Sequence, residues 1–137
     1  MITRIAKSSI EKLIWLIIAM LLGGCATGYN EHGFLGGYKD RMVEEDVFEV
    51  SFAGNGFVDP KRAEDFALLR CASLTLEHRC KYFAVLDRLS QKQFFNTKPV
   101  ETMLIQCFEE EPETSEKKIY DAEKIKLEIQ NKYKIKS

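Results

Sequence analysis

Ten consecutive apolar residues at 13–22, LIWLIIAMLL, constrain this chain more than any other feature. Left in water, each CH₂ group of such a run costs about 0.8 kcal/mol relative to burial. The run is also too short to cross a bilayer, which takes about 20 apolar residues; about 10–14 is the length of a signal-peptide core. Its flanks agree. Residues 1–12 carry Arg4, Lys7 and Lys12, and Gly23 and Gly24 follow the run just before Cys25. A basic start, a short apolar centre and small residues at a cut site make a secretory signal. Residues 1–24 are therefore expected to be an export signal. The alternatives, an uncleaved anchor or a buried helix, fit the length and flanks less well.

Leu22-Gly23-Gly24-Cys25 resembles a lipobox, the processing motif of bacterial lipoproteins. The resemblance implies a diacylglyceryl group on the Cys25 sulfur, cleavage between Gly24 and Cys25, and acylation of the new amino group. One acyl chain binds a membrane marginally, whereas two or three hold firmly. A domain that sits on a membrane would need such an anchor, because charge does not supply attraction. Losing Arg4, Lys7, Lys12 and Glu11 takes the formal charge from −1 to about −3, the wrong sign for anionic headgroups. Ala26 follows the cysteine, and by analogy with enteric lipoprotein sorting this implies the outer membrane, facing the periplasm, over the inner membrane.

Residues 25–37 contain Gly28, Gly33, Gly36 and Gly37 and read as the lipidated terminus and a tether. A domain is expected over 38–108. Residues 38–43 and 47–53 flank Glu44-Glu45-Asp46, and Phe48, Val50 and Phe52 alternate with Val47, Glu49 and Ser51. Period two in β-branched and aromatic residues predicts a hairpin of half-buried strands. Gly54-Asn55-Gly56 breaks the second strand. Asp59-Pro60 suits a helix cap and first turn, so 60–79 is read as a helix. Ala63, Phe66, Ala67 and Leu74 share one side of it, and Leu68, Leu69, Ala72 and Leu76 widen the apolar surface. Residues 81–87 and 100–108 read as strands joined by a polar loop that holds Phe94 and Phe95. Residues 109–116 are an acidic linker with Pro112. Residues 117–137 form an amphipathic C-terminal helix, with Ile119, Ala122, Ile125, Ile129 and Tyr133 on one stripe. The fold class is α+β: a small two-layer domain with about four strands, antiparallel or mixed, and both helices on one face.

Residues 36–86 resemble a family of small Gram-negative envelope lipoproteins without an assigned activity. The matching stretches are Gly36-Gly37-Tyr38-Lys39-Asp40, Val50-Ser51-Phe52-Ala53-Gly54-Asn55, Glu64-Asp65-Phe66-Ala67-Leu68-Leu69-Arg70, Leu74-Thr75-Leu76-Glu77-His78 and Tyr82-Phe83. The chain departs from that pattern at Cys71 and Cys80, where a small and an aromatic residue are expected. The resemblance implies a lipoprotein with an α+β domain and supplies no activity.

With Cys25 lipidated, three cysteines remain in an oxidising compartment. Cys71 and Cys80 are too far apart for a bridge if one helix holds both. Pairing 81–87 with 100–107 so that Leu86 faces Glu101 sets Cys80 opposite Cys107, which predicts a Cys80–Cys107 disulfide; the alternative is three buried thiols. His32 and His78 add no metal-ligand spacing, and Cys71 and His78 sit too far apart to share an ion. No metal and no cofactor are therefore expected. Arg70 and Glu77 lie two turns apart on the apolar side of the helix, so they are expected as a buried polar pair, bridged by Ser73 or a strand residue. Hydrolase and phosphate-loop motifs are missing from the sequence, and its basic residues are dispersed, which argues against nucleic acid. The expected role is a non-catalytic envelope lipoprotein that contacts another envelope protein. The alternative is a small-molecule or lipid-binding accessory of envelope transport.

Overall fold

The computed structural model describes residues 2–21, 37–55, 58–92 and 99–136. Along the chain run α1 (Ile2–Leu21), β1 (Gly37–Glu44), β2 (Val47–Ala53), α2 (Pro60–Glu77), β3 (Tyr82–Lys92), β4 (Pro99–Phe108), β5 (Ile119–Asp121) and α3 (Ala122–Tyr133). The strands form one antiparallel sheet in the order β1-β2-β4-β3-β5. β4 inserts between β2 and β3, so the α2 crossover joins strands that are not hydrogen-bonded neighbours.

Local chemistry explains where most elements begin and end. Asp59 accepts the Arg62 N–H at 2.9 Å, and Pro60 fills the first turn of α2, where its missing N–H costs nothing. Asp121 caps α3 in the same way, accepting from Lys124 N–H at 3.0 Å. Glu45 and Asp46 make the turn between β1 and β2, with Asp46 at φ 60°, a region that Asp tolerates better than most residues. Gly54 closes β2 by donating its N–H to the Pro99 carbonyl at 2.9 Å. A Cβ there would sit 2.8 Å from Val58 Cβ, so the close approach excludes any larger residue without movement.

Packing follows from the alternation. Phe48, Val50 and Phe52 of β2 and Met103, Ile105 and Cys107 of β4 are buried, while the residues between them are half-exposed. α2 lies across these strands and α3 packs beside it. Ala63, Phe66, Ala67, Leu69, Ala72 and Leu74 of α2 are all buried, so its wide apolar surface meets the sheet on one side and α3 on the other. The Phe52 and Phe66 rings meet edge-on at 5.2 Å, and Phe66 meets Tyr133 of α3 at 5.1 Å. Each such pair contributes about 0.5–1.5 kcal/mol beyond its buried area.

Several boundaries differ from the sequence reading. The C-terminal helix begins at Ala122 rather than at 117, because Ile119–Asp121 pairs with β3 as a fifth strand. β3 continues to Lys92 and β4 starts at Pro99, so much of the expected polar loop is strand. Phe94 and Phe95 lie outside the described residues. The β3–β4 register also differs. Ser90, not Leu86, faces Glu101, and Cys107 faces Phe83. A bulge between Val85 and Asp87 leaves Leu86 without a cross-strand partner and shifts everything beyond it.

Candidate functional site

Gly24 and Cys25, the expected cleavage and lipid positions, lie outside the described residues, as does His32. The segment leading to them is described in part. α1 carries Leu13, Trp15 and Leu16 at 59%, 72% and 67% exposure. Ile10, Ile14, Ile17 and Ile18 are exposed as well. Among the described residues, no helix is long and apolar enough to cross a membrane.

In the domain, charged side chains meet at the seams between helix and sheet. Arg70 of α2 reaches β1, where its Nε donates to Asp40 Oδ1 at 2.6 Å and its Nη2 to Oδ2 at 3.3 Å. Nη1 donates to Glu77 Oε1 at 2.8 Å, and the Tyr38 ring lies 4.5 Å from the guanidinium carbon. The Arg70 side chain is 12% exposed and that of Asp40 21%, but Glu77 is 55% exposed. Arg70 and Glu77 are thus joined, yet Glu77 is a rim acceptor and not part of a buried pair. The inner partner is Asp40, a strand residue. Burial disfavours the Arg70 charge, but the hydrogen bonds to Asp40 and Glu77 outweigh it and raise the pKa.

Asp65, one turn earlier on α2, has a buried side chain that ties α2 to α3. It accepts from Lys132 Nζ and from Tyr133 Oη, both at 2.7 Å, and pairs with Lys61 at 3.1 Å. Burial pushes its pKa up, and the donors from Lys132, Tyr133 and Lys61 pull it below the ordinary value. Glu101 of β4 is also buried; it accepts from Ser90 Oγ at 2.7 Å and from Arg88 Nε at 3.3 Å. Arg88 in turn donates to Glu64 of α2 at 2.9 Å. Asp65 thus joins α2 to α3, Arg88 joins the sheet to α2, and the charges are matched within the fold. The sequence reading missed Asp65 and Glu101 as buried charges. Glu101 carried a signal, since it falls on the inward phase of the β4 alternation with Met103, Ile105 and Cys107.

The three domain cysteines are buried free thiols. Cys71 Sγ lies 4.0 Å from the Met103 sulfur, deep in the core. Cys80 sits outside the β3–β4 ladder, in the turn that follows α2, where its N–H donates to the Thr75 carbonyl at 3.0 Å. Its sulfur nevertheless reaches Cys107: Asp46 carboxylate oxygen, Cys80 Sγ and Cys107 Sγ all lie within 4.8 Å of one another. Burial raises the thiol pKa of both cysteines, and the nearby Asp46 carboxylate adds to the effect. These donors are of metal-ligating type, but three of them leave a tetrahedral ion one ligand short.

Between α2 and the sheet the space is filled by Phe48, Phe52, Phe66, Phe83 and Met103. A groove of about 410 Å³ lies instead at the β5–α3 corner, lined by Tyr82, Glu111, Lys118, Tyr120, Lys124 and Glu128 among others. It is open, with charges of both signs. Comparison with protein families, curated proteins and solved structures yields no match for this chain.

Proposed function

We propose that this chain is a lipid-anchored protein of the cell envelope, held through Cys25, whose α+β body works by protein contact and not by catalysis. The observation that carries the reading is an apolar segment, exposed along Leu13–Ile18, that ends just before Gly-Gly-Cys. Water does not tolerate such a surface; removal of the leader and lipid on the thiol would resolve the mismatch. The non-catalytic part is supported by how the body uses its charges. Arg70, Asp65 and Glu101 are engaged in ion pairs and hydrogen bonds that tie one element of the fold to another. Contact points are available at Met42 and Val43 on the edge strand β1 and at Leu127 on α3, all exposed. The outer membrane is the proposed destination, on the strength of Ala26.

Replacing the thiol tests the anchor. Cys25→Ser should leave a longer, unacylated product that no longer fractionates with membranes. Unchanged maturation and unchanged fractionation would overturn the proposal. Crosslinking in intact cells then tests the mode of action, with a reproducible protein partner as the expected result. Copurifying lipid in place of a protein would favour a lipid-binding accessory instead.

A further inference from the structure

We infer that Cys80 and Cys107 form an intrachain disulfide in the exported protein, clipping the turn after α2 to the end of β4. This rests on the envelope reading for its oxidising compartment and on the fold for its geometry.

Geometry selects the pair. Cys71 is fully buried against Met103, so its sulfur is committed to the core. Cys80 and Cys107 have sulfurs within 4.8 Å of one another. The backbone on both sides is already held. Lys81 N–H donates to the Phe108 carbonyl at 2.9 Å, Cys107 N–H donates to the Asp46 carbonyl at 2.9 Å, and Arg79 makes the left-handed turn at φ 63°. A bond between the sulfurs needs side-chain adjustment and no new strand register. It also accounts for the odd thiol count, with Cys25 acylated and Cys71 left as a small core hydrophobe.

The oxidant is a disulfide donor, R–S–S–R, of the kind that secreted proteins meet. As the turn closes during folding, the Cys80 thiolate attacks the donor, forming a mixed disulfide and releasing one RS⁻. The Cys107 thiolate then attacks the Cys80 sulfur and releases the second RS⁻. Two electrons pass from the cysteine pair to the donor, and the two thiol protons finish on two RSH molecules. Asp46 acts against this reaction, because its carboxylate disfavours a thiolate beside it. Asp46→Asn should therefore bridge several-fold faster at the same pH.

The experiment uses the full chain. Reduced and unfolded protein is refolded with oxidised and reduced glutathione, digested and read by mass spectrometry; cell-derived protein is alkylated at lysis and read in parallel. We expect one linked peptide pair, Cys80 with Cys107, in both samples, and in Cys71→Ala as well. Reduction should lower the melting temperature by on the order of 10 °C. That shift should vanish in Cys80→Ser and Cys107→Ser. The shift is measured within each variant, so a variant's own loss of stability does not obscure it. Free Cys80 and Cys107 after refolding, or linkage through Cys71, overturns the inference. So does a zinc ion in cell-derived protein that shields both thiols from alkylation. The Cys25 mass separates the two readings. An acylated Cys25 with a reduced pair sinks the bridge alone. An unacylated chain that is reduced in cells but bridges on refolding supports the pairing and sinks the envelope reading.

Discussion

Two helices of this chain are broadly apolar, and they meet opposite fates. α2 presents apolar residues on more than one side, and Ala63, Phe66, Leu69, Ala72 and Leu74 are buried between sheet and α3. α1 presents an even denser apolar surface, and Trp15 is 72% exposed. The difference lies in what surrounds the apolar positions. α2 carries Asp65 and Arg70 at fixed offsets, and these engage Lys132 and Tyr133 on α3 and Asp40 on β1. α2 is also capped at Asp59. Along residues 13–22 there is no charged side chain to orient the segment against a partner. Hydrophobicity drives both out of water, but only charged and shaped surroundings specify a protein neighbour. An unspecified apolar segment suits lipid or a processing machinery.

The comparison can be broken most directly in the core. Phe66→Ala removes a ring that contacts both Phe52 and Tyr133. It should cost about 3–5 kcal/mol in denaturant unfolding, enough to unfold a marginal domain. Trp15→Ala, a larger deletion, should leave the domain's unfolding midpoint unchanged. An equal loss from both would mean that α1 packs on the body after all.

Next in size is the seam between α2 and β1. Asp40→Ala leaves a partly buried Arg70 guanidinium with its rim acceptor alone, and should destabilise by about 2–3 kcal/mol. Glu77→Ala should cost well under half of that, because Glu77 is exposed and its contribution is screened. The reverse ranking would show that the outer carboxylate carries the seam.

The smallest effect concerns acid. Asp65 has a folded pKa below its unfolded value, so its contribution is complete above the unfolded pKa of about 3.9 and is lost as pH falls through the folded pKa. Thermal melts from neutral pH to pH of about 2 should show wild type losing its advantage over Asp65→Asn below pH of about 4. A gap that stays constant through that range would assign the α2–α3 seam to packing alone.

Much of the fold could be read along the chain, for reasons that act over a few residues. Phe48, Val50 and Phe52 announce β2 through the pleat, and Asp59-Pro60 announces the start of α2. The spacing of Arg70 and Glu77 was enough to bring them together, since a helix has only one geometry. Their third partner was not legible. Asp40 is 30 residues away from Arg70, on a strand whose position depends on the β1–β2 turn. The Cys80–Cys107 approach was legible only by a faulty route. The assumed register is wrong: on the cysteine side of the bulge it is Phe83, not Cys80, that faces Cys107, and the turn after α2, with Arg79 left-handed, brings the sulfurs together instead.

From residue order came the cap of α2, the inward faces of β2 and α2, and the basic, apolar and Gly-Gly-Cys succession at the start of the chain. Those signals depend on dihedral preferences and side-chain period, which neighbours within a turn or a pleat set. Folding in three dimensions settled the β4 insertion, the short strand at Ile119–Asp121, the burial of Asp65 and Glu101, and the meeting of Asp46, Cys80 and Cys107. Such outcomes follow from how distant segments share one core, where a single bulged residue moves every contact beyond it.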